Sequence, residues 1–312
     1  MKNSIFIIIL IISGCSKSNT IDVQNVTDLQ FENLRYSDVF VLGGEKDSTA
    51  FHFNGLVVNR FGEIYTFDRY SASLLRISAE GEIIGRNGSK GRGPNQFDLE
   101  VSGVGIELCG DDLVLAHDMN NPVIQLYDRT LTFLGSRNVN GTIWWISCDE
   151  NGDYLIHYRN RNATEIFDKD GHLLSGFTLD SATSDMFVAF KHFILTDEFV
   201  YATYLMKNEL LVIDRKGTLI SKTIFPAKTI DENKPATVQT YRSFFYNDDV
   251  HVLTAMDGFT SIHVFDSDGN YLRTHKKDEI LRNLYQKNPE YVYTLEVDNS
   301  ILKKLKIDKV EE

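Results

Sequence analysis

The sequence predicts an all-β fold, a six-bladed β-propeller of four-stranded antiparallel blades whose ring is closed by an N-terminal strand. Three observations predict it. An eleven-residue unit recurs five times, as LLRISAEGEII from Leu74, IQLYDRTLTFL from Ile124, TEIFDKDGHLL from Thr164, LLVIDRKGTLI from Leu210 and IHVFDSDGNYL from Ile262. Each copy is an apolar run, a polar turn and a second apolar run. Asp168, Asp214 and Asp266 open their turns and Gly171, Gly217 and Gly269 close them, the residue preference of a type I turn joining a hairpin. Ser78 and Gly81 fill the same roles in the first copy, whereas the second keeps Asp128 but has Leu131 in place of glycine. Ten residues before each turn-opening residue lies a second landmark, Asp68, Asp118, Tyr158, Tyr204, Met256 or Asp298, each ending a β-rich run. These landmarks are 50, 40, 46, 52 and 42 residues apart. With four strands per unit, that period is a propeller's, because a lone blade cannot bury both of its faces.

Taken in order, residues 1–14 read as a secretory signal: Lys2, an apolar run over 6–12, then small residues before Cys15. The run is too short to span a bilayer permanently. Its Ile-Ser-Gly-Cys ending resembles the lipobox of bacterial lipoproteins, which implies that Cys15 carries the lipid and becomes the mature N-terminus. Ser16 follows, with no acidic cluster behind it. By the same resemblance the anchor belongs in the bacterial outer membrane, facing the periplasm rather than the cell surface. Residues 15–35 are assigned to the lipidated cysteine and a tether, since 16–24 are polar and lack hydrophobic periodicity. Residues 36–312 form the propeller domain.

Within each unit a further strand precedes the landmark run, across turns at 60–63, 110–112, 149–153, 196–198 and 247–249. The final unit stops early, because LKKLKID to Asp308 is followed only by a charged tail. An open apolar edge invites aggregation, so the remaining run DVFVL, from Asp38 to Leu42, is expected to serve as the outer strand of the last blade. Residues 276–287 carry a helical pattern, with Asp278 as cap and Ile280, Leu281, Leu284 and Tyr285 on one face before Pro289. Residues 226–235 read as a mobile polar loop. Cys109 and Cys148 precede acidic turns at matching places in adjacent units. Such positions are expected to lie too far apart for a bridge, which gives two buried free thiols.

The stretch GSKGRGPNQF, from Gly88 to Phe97, resembles the loop that opens a repeat in NHL-type propellers, with its glycine-rich turn, Gly-Pro step and Phe. Together with the lipobox, the chain most closely resembles the six-bladed β-propeller lipoproteins of bacteria, over roughly Val39 to Asp308. It departs from that pattern at Leu131 and at Tyr158, Tyr204 and Met256, which replace the landmark Asp. The resemblance implies a fold and a binding surface and transfers no catalytic residue.

Formal net charge is −12, which argues against nucleic acid as a partner and leaves the lipid on Cys15 as the membrane attachment. The loops after the landmarks gather Arg69, Tyr70, Asn120, Arg159, Asn160, Arg161 and Lys207 on one end of an otherwise acidic molecule. Tyr158 and Tyr204 stand at the landmarks, and Trp144 and Trp145 open an inner strand. Cations of this kind pair with carboxylate, sulfate or phosphate, and the aromatics stack on a sugar ring or clamp a peptide. The plainer reading is of solvated loop tips with one tryptophan in the core. Asp68, Asp118 and Asp298 end equivalent strands near the mouth and supply an alternative, a metal-assisted hydrolase or lyase of lactonase-like architecture. There is no helical His-Glu metal motif, complete EF-hand loop, Gly-x-Ser-x-Gly elbow or full phosphate-binding loop. Neither a cofactor nor a catalytic residue is therefore assigned. The expected function is a lipid-anchored envelope module that binds a peptide, a glycan or an envelope protein, or else a structural subunit of an envelope complex.

Overall fold

In the computed structural model the Asp-opened turns form as their residues require. Asp214 Oδ1 accepts from Lys216 N at 2.9 Å and Thr218 N at 2.7 Å, while Gly217 N donates to the Asp214 carbonyl at 3.0 Å. Gly217 stands at φ +94°, the left-handed residue that follows a type I turn and inserts one extra residue into the hairpin. The register accordingly shifts between Val212 and Ile213, and likewise between Ile166 and Phe167 and between Val264 and Phe265. Side-chain acceptor and backbone freedom thus fix both the turn and the pairing beyond it.

The structure describes residues 21–25, 31–33, 35–43, 51–98, 104–118, 121–179, 190–204, 208–225, 239–256, 259–277, 283–288, 290–295 and 301–308. These form six blades of four antiparallel strands, two of them extended by a fifth, parallel edge strand, and one short parallel pair at Ser89–Lys90 and Gln96–Phe97, with no helix among the described residues. Blade 1 is Phe53–Val58, Ile64–Asp68, Ser73–Ile77 and Ile83–Asn87, paired in that order. The first strands of the others are Val104–Cys109, Ile143–Cys148, Phe190–Leu195, Gln239–Tyr246 and Asn283–Asn288. Each lies against the next around the axis, and the sixth against the first. The expected landmarks Asp68, Asp118, Tyr158, Tyr204 and Met256 end the second strands.

Apolar side chains meet between blades, not within them. Tyr65, Phe67 and Leu74 of blade 1 pack against Ile106, Val114 and Tyr127 of blade 2, and Leu155 and Ile166 of blade 3 against Phe193, Val200 and Leu211 of blade 4. Each such side chain contributes roughly 1.5–3 kcal/mol by leaving water. The ring closes as the sequence requires: Arg35–Gly43 pairs antiparallel with Ile301–Asp308, with Leu42 opposite Leu302 and Phe40 opposite Lys304. Phe40 and Leu42 then pack on the cluster between blades 6 and 1.

Three expectations are corrected. The helix over 276–287 is absent where it can be seen, because Tyr271–Lys277 and Asn283–Asn288 are strands and only 278–282 lie outside the described residues. Pairing of Asn283 with Leu295 and Leu284 with Thr294 satisfies the backbone there, overriding a local helical period. The region read as a tether contains two strands. Asp22–Asn25 runs parallel to the outer strand of blade 4, and Phe31–Asn33 parallel to that of blade 5. Backbone groups at a sheet edge can bind a polar segment that has no apolar period. Finally, Cys109 and Cys148 are not free thiols but a disulfide, with Cα atoms 4.9 Å apart. Both end inner strands, where blades converge on the axis, and Gly110 N already donates to the Asp149 carbonyl at 3.3 Å. Closing a span of 39 residues stabilises the fold by about 4 kcal/mol in the chain-entropy model. Cys15 and the loop over 226–235 lie outside the described residues.

Candidate functional site

On the end of the molecule where the second strands finish, the acidic landmarks have a defined task. Asp68 Oδ1 accepts from His52 N at 3.1 Å and Tyr70 N at 3.2 Å. Its Oδ2 accepts from Ser71 N at 3.1 Å and Ser71 Oγ at 2.5 Å. Asp118 accepts from Asn121 N and Asn121 Nδ2, both at 2.8 Å, and from Asp98 N at 3.1 Å. Both carboxylates are 2% exposed. Each ties the loop after its strand to the segment that enters the same blade. In blade 3 the landmark is Tyr158, and Asn160 Oδ1 takes over, accepting from Thr142 N at 3.3 Å. Gly141 makes room for that contact, since a Cβ there would meet the Tyr158 ring at 2.8 Å. No three His, Cys, Asp or Glu side chains converge on a common point among the described residues. Asp298, Asn120 and Lys207 lie outside them.

The aromatic and cationic candidates divide between core and surface. Trp145 Nε1 donates to the Phe193 carbonyl at 2.9 Å, its ring meets His192 edge-on at 4.3 Å, and it packs on the cluster between blades 3 and 4. Tyr204 belongs to the same cluster, with burial pushing its hydroxyl up to about 12. Tyr158 is fully buried, and burial followed by the neighbouring Glu165 carboxylate raises its pKa. Arg161 lies 3.9 Å from the centre of the Tyr158 ring and pairs with Glu165 at 2.8 Å, so much of its charge is met within the blade. Trp144 is different. Its guanidinium neighbour Arg159 stands 5.1 Å from the ring centre and is exposed. Tyr70 is 70% exposed, edge-on to His52 at 5.9 Å, and Arg69 beside it is half-buried, with its backbone N–H held by the His52 carbonyl at 2.9 Å.

A backbone irregularity separates the two tryptophans. Ile143 faces Tyr158 but Trp145 faces His157, so Trp144 is an extra residue in the ladder. A bulge re-aims the residue it inserts. Gly55, Lys191 and Tyr241 hold the corresponding inserted places in the inner strands of blades 1, 4 and 5. Sequence reasoning missed that Trp144 is an inserted residue. Two consecutive large residues in an alternating strand, as at 144 and 145, were the available signal.

No family model matches the chain, and no curated protein matches it. Solved structures do. A Bacteroides fragilis protein described as exported matches with a TM-score of 0.60 at 14% identity, covering 93% of this chain and 100% of its own. A streptogramin B lyase matches with a TM-score of 0.55 at 10% identity, over 88% of this chain and 98% of its own. Virginiamycin B lyase from Staphylococcus aureus gives 0.54 at 10% identity, over 88% and 100%. At such identities the likeness is one of fold, and with the sheet topology it establishes a six-bladed β-propeller.

Proposed function

We propose that the chain is a lipid-anchored binding module of the bacterial outer membrane, of the propeller-lipoprotein kind with NHL-like repeats, that holds a glycan, peptide or envelope protein on the loop face of blade 3. The observation that carries this reading is the Trp144–Arg159 stack. The bulge inserts Trp144 into the ladder as an extra residue, and the Arg159 guanidinium over its ring sets a cation beside a flat aromatic face of the kind that stacks on a sugar. Arg161, stacked on the ring of the buried Tyr158, adds a second cation two residues along. Export is supported by the signal over 1–14, by the Cys109–Cys148 bridge, since disulfides persist in oxidising compartments, and by the exported Bacteroides fragilis neighbour.

The alternative, a metal-assisted hydrolase or lyase at the axial mouth, requires Asp68 and Asp118 to release the backbone donors that order their loops. Its likeness to the streptogramin lyase is one of fold.

The test is calorimetric titration with muropeptides, which combine sugar rings, carboxylates and peptide. Saturable binding to the parent chain, weakened at least about tenfold by Trp144→Ala and by Arg159→Ala, is expected, since stacking and charge-assisted bonds of about 1.4 kcal/mol set that factor. Equal binding by all three chains would remove the blade 3 site. Stoichiometric divalent metal that disappears in Asp68→Asn would favour the alternative. Palmitate labelling lost in Cys15→Ser checks the anchor.

A further inference from the structure

The interface between blades 5 and 6 is built unlike the others. Among the described residues its apolar cluster is the smallest of the six, with Phe244, Leu253, Ile262, Val292 and Leu305 fully buried. The face of blade 5 that should complete it carries polar groups instead. His251 lies opposite Val264, which lies opposite Arg273, and Ile262 lies opposite His275. Cross-strand partners share a face, as do residues two apart, so Asp249, His251, Ile262, Arg273 and His275 all point toward blade 6. Together with Tyr36, Val292 and Ile307 they line a half-open cleft of about 190 Å³. An apolar cavity of about 150 Å³ accepts benzene, so this one accommodates a single ring with a substituent.

The two ends of the cavity differ in chemistry. His251 is 6% exposed and stacks on Phe244 at 4.8 Å. Burial, helped by His275 and Arg273, drives its pKa to about 3, so the ring is neutral. A backbone bond at Tyr246 favours the protonated ring, which marks Nδ1 as the nitrogen that donates there, and Nε2 has no partner among the described residues. In that tautomer Nε2 is a buried acceptor facing a cavity, and it calls for a donor. Arg273 stands two strand spacings away, roughly 10 Å between Cα atoms, with its side chain 37% exposed. Its Nε donates to His275 Nε2 at 3.3 Å, and its Nη2 is 3.7 Å from Asp249 Oδ2, longer than a hydrogen bond. Asp249, whose pKa is raised first by burial, offsets part of the arginine charge and disfavours any ligand with more than one negative charge.

We propose that this cleft is a binding site for a small hydroxylated monocarboxylate of single-ring size, the hydroxybenzoate class. The ligand hydroxyl donates to His251 Nε2, the ring lies against Ile262, Val292 and Tyr246, and the carboxylate meets Arg273 at the mouth. The site is separate from the loop face of blade 3, being formed around the hairpin turn at Asn247 on the opposite end of blade 5.

The experiment is calorimetric titration of the full chain with 4-hydroxybenzoate, benzoate and phenol. Expected is saturable one-to-one binding of 4-hydroxybenzoate, about tenfold tighter than benzoate, which lacks the donor, and about tenfold tighter than phenol, which lacks the charge. His251→Leu should erase the advantage over benzoate, Arg273→Gln the advantage over phenol, and Trp144→Ala neither. Should His251→Leu fail to fold, the parent-chain comparison and the partly exposed Arg273→Gln carry the decision. Absence of saturable binding by 4-hydroxybenzoate, or equal affinity for all three probes, overturns the proposal and leaves a cavity that holds water.

Discussion

Leu131 occupies a turn position where the other hairpins have glycine, and it does so at φ +65°. A left-handed conformation costs a non-glycine residue roughly 1–2 kcal/mol. The side chain is 2% exposed and belongs to the cluster between blades 1 and 2, where truncating a leucine costs roughly 2–5 kcal/mol. Burial therefore outweighs strain. Leu131→Gly, which a consensus of the repeats would suggest as stabilising, is expected to lower unfolding free energy by about 1–3 kcal/mol in urea melts. A rise would mean that the strain dominates. The landmark aspartates teach a related lesson. Their recurrence was legible, but whether a carboxylate at Asp68 or Asp118 faces a ligand or a backbone N–H depends on how His52 and Asp98 return to the same blade. Sequence distance does not encode that return.

Among elements, the strand Arg35–Gly43 was legible because the sixth unit visibly lacked an outer strand. Its alternation then places Phe40 and Leu42 inward and Val39 and Val41 at the surface, where each is 48% exposed. Deleting residues 37–43 exposes the ladder of Ile301–Asp308. The deletion is expected to lower the melting temperature and to produce dimers or larger species on size exclusion, because an unpaired edge recruits another. A monomer with an unchanged melting temperature would show that the closure contributes nothing. The short strands Asp22–Asn25 and Phe31–Asn33 escaped notice for a physical reason: a parallel edge strand bonds through its backbone, and Gln24 adds a side-chain acceptor to Tyr271 N at 3.0 Å without any apolar repeat. The bulge at Trp144 was hidden likewise, since an inserted residue breaks the alternation on which a reading of strands depends.

For the whole molecule, the buried histidines set how stability varies with pH. Burial lowers His117 and His157 to about 4 and His251 and His263 to about 3, whereas the unfolded chain titrates near 6.5. Below about pH 6.5 the unfolded state binds more protons than the native one, so stability is fully present above that pH and is lost as pH falls toward 4. Asp149 and Asp249, raised first by burial, oppose this trend in part. Chemical denaturation between pH 7 and pH 4 should show the decline, and His117→Leu should flatten it by about 1.4 kcal/mol per pH unit. An unchanged slope would mean that His117 takes up its proton in the folded ring. These histidines are scattered over 146 positions of sequence, and only the packing of blade against blade gives them a common environment.

The sequence by itself determined the number of blades, the hairpin turns and the strand that closes the ring. All three rest on local chemistry repeated at a fixed period: an aspartate acceptor, a left-handed glycine and alternating apolar residues. The tertiary structure alone decided that Cys109 meets Cys148, that Trp145 packs between blades 3 and 4 while Trp144 stacks with Arg159, that Asp68 and Asp118 hold loops, and that blades 5 and 6 line a cleft carrying buried polar groups. Each of those depends on where neighbouring blades approach one another around the axis, a distance set by packing the whole ring and carried by no single segment of the chain.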